Sequence, residues 1–143
     1  MKKALWILAL CMGMVACSDG KRKSVTESQQ TKKDVVEVLY FHGAQRCATC
    51  IAIEKNTKKL IETAYAEPLE NGKLVFRSVD IAKEKALTEK YKVSWSSLIL
   101  VDYDKSGVES VIDLTEFAFC NARNAPDKFK AGLSERITEM LNN

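Results

Sequence analysis

Residues 34–143 alternate short apolar runs with longer amphipathic ones. VVEVLYFH (35–42) is rich in β-branched and aromatic residues and almost continuously apolar. That pattern predicts a strand covered on both faces, hence a central one. From Cys47 to about Ala66 the spacing becomes helical, with Ile51, Leu60, Ile61, Ala64 and Tyr65 recurring on one side and Pro68, then Asn71 and Gly72, expected to close the helix. LVFRSVD (74–80) predicts a second strand and IAKEKALTEKY (81–91) a second helix. SLILVDY (97–103) and VESVIDL (108–114) flank Asp104-Lys105-Ser106-Gly107, which reads as a hairpin turn. Pro126 suits a first helical turn, and Phe129, Leu133, Ile137 and Leu141 repeat every fourth residue after it. About 110 residues in this order make one α/β domain without internal repeats.

The first 33 residues are of another kind. Lys2 and Lys3 precede ALWILALCMGMVA, an apolar run shorter than the about 20 residues of a transmembrane helix. That is the form of a secretory signal peptide. It ends in MVAC, which resembles the lipobox of bacterial lipoproteins, with Met14 where Leu is usual. The resemblance implies a signal peptide over 1–16, cleavage before Cys17 and diacylation of that cysteine. The alternative is a plain secretory signal with Cys17 an ordinary thiol. Residues 17–33 are polar apart from Val25, too poor in apolar surface to fold, and read as a flexible tether spanning about 20 Å. The expected location is the bacterial cell envelope, membrane-anchored and facing the periplasm.

Charge follows the same division. The whole chain is +3, but residues 34–143 hold 15 Lys and Arg against 17 Asp and Glu, or −2. The basic excess belongs to the leader and tether, near anionic lipid or water, and the folded part has no stripe suited to nucleic acid.

The chemistry concentrates in GAQRCATC (43–50), where Cys47 and Cys50 stand at the junction of first strand and first helix. Such a pair exchanges electrons, holds a metal or staples a turn. A staple closing so short a loop removes little unfolded-state entropy. Only a thiolate attacks a disulfide, and the free N–H groups of a helix N-terminus lower a thiol pKa from near 8.5 toward 7 or below. Cys47 is then the nucleophile, and Cys50, one turn on, resolves the mixed disulfide.

The element order strand, helix, strand, helix, strand, strand, helix, with Cys-x-x-Cys after the first strand, resembles the thioredoxin fold over nearly all of 34–143. The resemblance implies a central mixed β-sheet of about four strands flanked by helices, thiol–disulfide oxidoreductase activity without a bound cofactor, and a disulfide or dithiol redox partner protein. Against that pattern Phe41 stands where thioredoxins bury an acid, Lys55 where their helix has a kinking proline, and Ser96 in VSWSSLILV where a cis-proline faces the dithiol. Trp95 and Ser96 are then expected to border the sulfurs, with a trans peptide at Ser96, since a cis bond there costs about 2.5–4 kcal/mol. More narrowly, FHGAQRCATC with the Ser-Ser-Leu start of the third strand resembles nitrophenyl compound nitroreductase subunits of the ArsF type. This chain has no glycine-rich dinucleotide fingerprint, so that resemblance implies an electron-delivery module for a separate flavin-bearing reductase subunit acting on nitroaromatics, in an arsenical-resistance setting.

Three further residues have two readings each. Arg46 either supports a thiolate at Cys47 or is a solvated loop arginine. His42 either tunes that thiolate or caps backbone at the strand end. Cys120, the thiol left over, is either a small packed residue or the third ligand with Cys47 and Cys50 for a soft ion such as trivalent arsenic, which would make the domain a binding module. Zinc would need Cys47, Cys50, Cys120 and His42 to converge.

Overall fold

A computed structural model describes residues 32–143; the signal peptide, Cys11, Cys17 and the tether through residue 31 lie outside the described residues. The chain runs β1 Val35–His42, α1 Ala48–Ala64, α2 Ala66–Glu70, β2 Leu74–Asp80, α3 Lys85–Lys90, β3 Ser97–Tyr103, β4 Glu109–Asp113, α4 Thr115–Asn121 and α5 Pro126–Leu141. The strands form one sheet in the order β2-β1-β3-β4. β1 pairs parallel with β2 and antiparallel with β3, and β4 closes the edge antiparallel to β3. This is the mixed four-stranded sheet flanked by helices that the element order implies.

β1 is the axis of the core. Side chains alternate across a strand, so Val36, Val38 and Tyr40 enter one layer with Ile53 and Ile61 of α1 and Phe129, Leu133 and Ile137 of α5. Leu39 and Phe41 enter the other, with Val79, Ile99, Val101 and Tyr103, against Leu87 and Tyr91. Burial on both faces explains why this segment shows no polar alternation.

The helices depart from expectation in four places. The buried stripe of α1 is Cys50, Ile53, Thr57 and Ile61, while Ile51 is 51% exposed and Ala64 is exposed. A cysteine and a threonine on the inner face disguised it. The helix ends at Tyr65, whose φ of −128° leaves the helical region, and Pro68 falls inside the short α2. α3 begins only at Lys85, because Asp80 Oδ1 accepts the Ala82 N–H and holds residues 81–84 in a turn. α4 was not expected; seven residues with Phe117 and Phe119 alternating give no clear helical period. The hairpin is as read, with Asp104 Oδ1 accepting the N–H groups of Ser106 and Val108 and Gly107 at φ +85°.

Tyr65 ties the end of α1 to α5. Its buried hydroxyl donates to the Ser134 carbonyl at 2.8 Å and lies 2.8 Å from Thr138 Oγ1. Tyr65→Phe is expected to cost about 1–2 kcal/mol and to lower the thermal midpoint by several degrees without changing the circular dichroism of the native state. An unchanged midpoint would show that these bonds only replace water.

Candidate active site

The dithiol stands where β1 delivers the chain to α1. Cys47 is the N-cap residue of α1, with extended φ/ψ of −72° and 162°, and its Sγ accepts the backbone N–H of Cys50 at 3.0 Å. The sulfur thus occupies the position a capping oxygen normally takes, beside amides with no helical partner. No acidic side chain occupies the first turn to oppose a negative charge there. Cys47 is exposed and Cys50 is 6% exposed. Their Cα atoms are 5.0 Å apart and the sulfurs are joined, within the span a disulfide requires.

Beneath the pair lies Tyr40. Its ring is fully buried and its hydroxyl donates to the Cys50 carbonyl at 2.8 Å, fixing the first turn of α1 to the sheet. Burial pushes the Tyr40 phenol above its ordinary value, against the pull of Arg46 and Ser96 beside it. Phe41, expected where thioredoxins bury an acid, lies elsewhere. Phe41 points into the opposite layer, edge-on to Tyr91 at 6.2 Å, and the polar side chain facing the dithiol is its neighbour Tyr40. Lys55 is exposed, and α1 runs through it without a break.

Arg46 is not a free loop cation. Its guanidinium lies over the Tyr40 ring at 5.7 Å and is ion-paired with Glu54, one helical stretch along α1. Glu54 also accepts the Ser78 hydroxyl of β2 at 2.6 Å. Burial resists ionisation of Glu54, but the bonds from Ser78 and Arg46 outweigh it and hold the carboxyl below its usual range. Burial likewise opposes the Arg46 charge, and Glu54 and Tyr40 more than restore it. The charge of the residue preceding Cys47 is therefore shared with a carboxylate. Neither Glu54 nor Ser78 was found from sequence, since each meets its partners only through the strand–helix packing.

His42 has the backbone-capping role. Its Nδ1 is 3.1 Å from the Gly43 carbonyl, to which it donates as the Nδ1–H tautomer, and its ring stacks on Tyr40 at 6.1 Å. All described peptide bonds are trans, including the one before Ser96. The register pairing Phe41 with Ser97 sets residues 95–97 at the same end of the sheet as the dithiol. Trp95 is 62% exposed and stacks on Phe119 of α4 at 5.6 Å.

Cys120 is exposed on α4, in the rim that includes Trp95 and Phe119. Among the described residues no three His, Cys, Asp or Glu side chains gather into a metal-holding group. The three-thiolate arrangement and the convergence of His42 with the cysteines are therefore not formed; α4 turns Cys120 outward, and His42 is engaged with backbone.

The chain matches no family model and no curated protein. Solved structures similar to it include a malarial protein, 24% identical over 60% of this chain and 93% of that one, TM-score 0.39. Thioredoxin-2, described as a component of malaria parasite protein secretion machinery, is 26% identical over 55% of this chain and 69% of its own, TM-score 0.40. A thioredoxin from Thermus thermophilus is 17% identical over 55% and 58%, TM-score 0.35.

The Glu54 network has a pH signature. A carboxyl held below its ordinary 4.5 contributes stability that is present above that value and lost as pH falls through the lower folded value. The stability difference between wild type and Glu54→Gln, measured by urea unfolding, should be full at pH 7 and shrink on acidification below about pH 4.5. A difference that stays constant down to pH 3 would mean the pair stabilises nothing.

Proposed function

We propose that this protein is a thiol–disulfide oxidoreductase that exchanges disulfides with a partner protein through Cys47 and Cys50. The observation that carries the reading is the division of labour at the start of α1: one exposed sulfur capped by a backbone N–H, and a second, shielded sulfur joined to it. In the reducing direction the Cys47 thiolate attacks one sulfur of the partner's disulfide. That S–S bond breaks, the displaced sulfur leaves as a thiolate and takes up a proton, and a mixed disulfide remains. Cys50 then loses its proton and attacks Cys47 Sγ, releasing the partner's second sulfur and closing the disulfide seen here. Two electrons pass to the partner, and the same steps reversed oxidise it.

Arg46 and Tyr40 serve this chemistry by position. Arg46, the residue before Cys47, has its guanidinium held over Tyr40 and paired with Glu54, which limits the positive charge it can offer the thiolate. Tyr40 holds the turn that carries Cys50.

The MVAC segment and the polar tether support placing the domain at the cell envelope by a lipid on Cys17. Delivery of electrons to a separate flavin-bearing reductase of nitroaromatic or arsenical compounds is a narrower reading. Its support is the likeness of FHGAQRCATC together with the Ser-Ser-Leu start of β3; neither the fold nor the proteins similar to this chain add to it.

Cys50→Ser is expected to accumulate mixed disulfides that vanish on reduction, whereas Cys47→Ser accumulates none. Titrated with a thiol reagent, Cys47 in the first variant should react with an apparent pKa below the about 8.5 of a free cysteine. Equal trapping by both variants would overturn the assignment. For the anchor, Cys17→Ser should move the protein from the membrane to the soluble fraction with its fold intact; retention in the membrane would show that Cys17 is not the point of attachment.

A further inference from the structure

An open groove of about 630 Å³ lies between Trp95 and α4, lined by Trp95, Asp113, Thr115, Glu116, Phe119 and Cys120. Its walls join two kinds of surface. Trp95 is among the few large apolar side chains left exposed, and it is held in place by its stack on Phe119. A rigid exposed aromatic ring is the common anchor of a protein contact. Asp113 and Glu116 stand beside it, and among the described residues neither forms an ion pair, although nine such pairs occur elsewhere on this domain. Asp113 Oδ1 is used locally, accepting the Thr115 N–H at 2.8 Å; its charge and that of Glu116 face no cation.

The groove lies at the dithiol's end of the sheet. Ile99 pairs with Asp113 and Phe41 with Ser97, so the groove sits at the end of the sheet where β1 hands over to Cys47. Ser96, next to Trp95, lies beside the Tyr40 phenol that bonds the Cys50 carbonyl. Trp95 and the two carboxylates therefore stand on the same side of the fold as Ser96 and the Tyr40 hydroxyl under the dithiol.

We infer that this groove binds the segment next to the reacting cysteine of the partner protein, and that the segment carries an aromatic or large apolar side chain followed by Lys or Arg. The apolar group covers Trp95 and Phe119, and the cation meets Asp113 and Glu116. The inference rests on the thiol–disulfide reading for what the partner is, and on the groove for what it looks like. Complementary charge of this kind chooses among partners and speeds their encounter more than it tightens the complex.

The test uses the full chain, reduced beforehand to the Cys47/Cys50 dithiol with a small dithiol that is then removed, and two synthetic peptides, each carrying one cysteine as a mixed disulfide with a chromogenic thiol, flanked by Phe and either Lys or Glu. A small aliphatic disulfide serves as a substrate too short to reach the groove. The Lys peptide should be reduced with a kcat/KM about tenfold above the Glu peptide at low salt, with the advantage falling as salt rises. Asp113→Asn with Glu116→Gln should abolish that preference while leaving the small disulfide unaffected, and Trp95→Ala should slow both peptides about tenfold. Equal rates for the two peptides, or a preference that survives the double variant, would overturn the inference. So would a concentration-dependent dimer in sedimentation that Trp95→Ala dissolves, because the groove would then hold a second copy of this chain. Serine versions of the peptides, followed by calorimetry, separate the two readings. Charge-selective binding with no reduction of any disulfide removes the exchange reading and keeps the groove. Reduction of the small disulfide with no charge-selective binding removes the groove alone.

Discussion

The two-sided burial of β1 governs the rest of the structure. A strand that feeds both layers of the core has its register fixed by every side chain along it, and a slip of one residue would exchange the two sets. That constraint decides that Tyr40, with a hydroxyl, points toward α1, while Phe41, without one, points toward α3. It also fixes where the strand stops, and hence where Cys47 caps the helix. The chemistry at the sulfur is a downstream result of packing several residues earlier.

The electrostatics of the site follow a similar logic. A bare arginine beside the nucleophile would favour the thiolate strongly and make the dithiol form hard to oxidise. Here the guanidinium is drawn across the Tyr40 ring to Glu54, and Glu54 is itself held by Ser78. Three segments, the β1–α1 loop, α1 and β2, therefore share in holding the guanidinium of the residue before Cys47.

Much of this was legible in the sequence because strands buried on both faces or joined by a tight turn write themselves plainly. β1, β2 and β3 have the limits expected from VVEVLYFH, LVFRSVD and SLILVDY. The dithiol was legible because its place in the element order carries information that the spacing alone lacks. The inner face of α1 was not, since Cys50 and Thr57 count as polar or reactive in a periodicity yet pack as core. Nor was the partner of Arg46, because a contact made when β2 and α1 come together leaves no local signal. That Tyr40 lies under the dithiol was not legible either, because the way each β1 side chain faces is set by the sheet packing. α4 was missed for want of length, and with it the surface that flanks the dithiol.

The exposure of Trp95 has an optical corollary. It is the one tryptophan among residues 32–143, since the chain's other indole is Trp6. The long-wavelength emission of this part of the molecule therefore comes from a single ring at the mouth of the site, stacked on Phe119 and open to water. Whatever changes its surroundings, from a passing ligand to a rotation of α4, is written into one intrinsic spectroscopic signal, so that the domain carries its own local probe without a label.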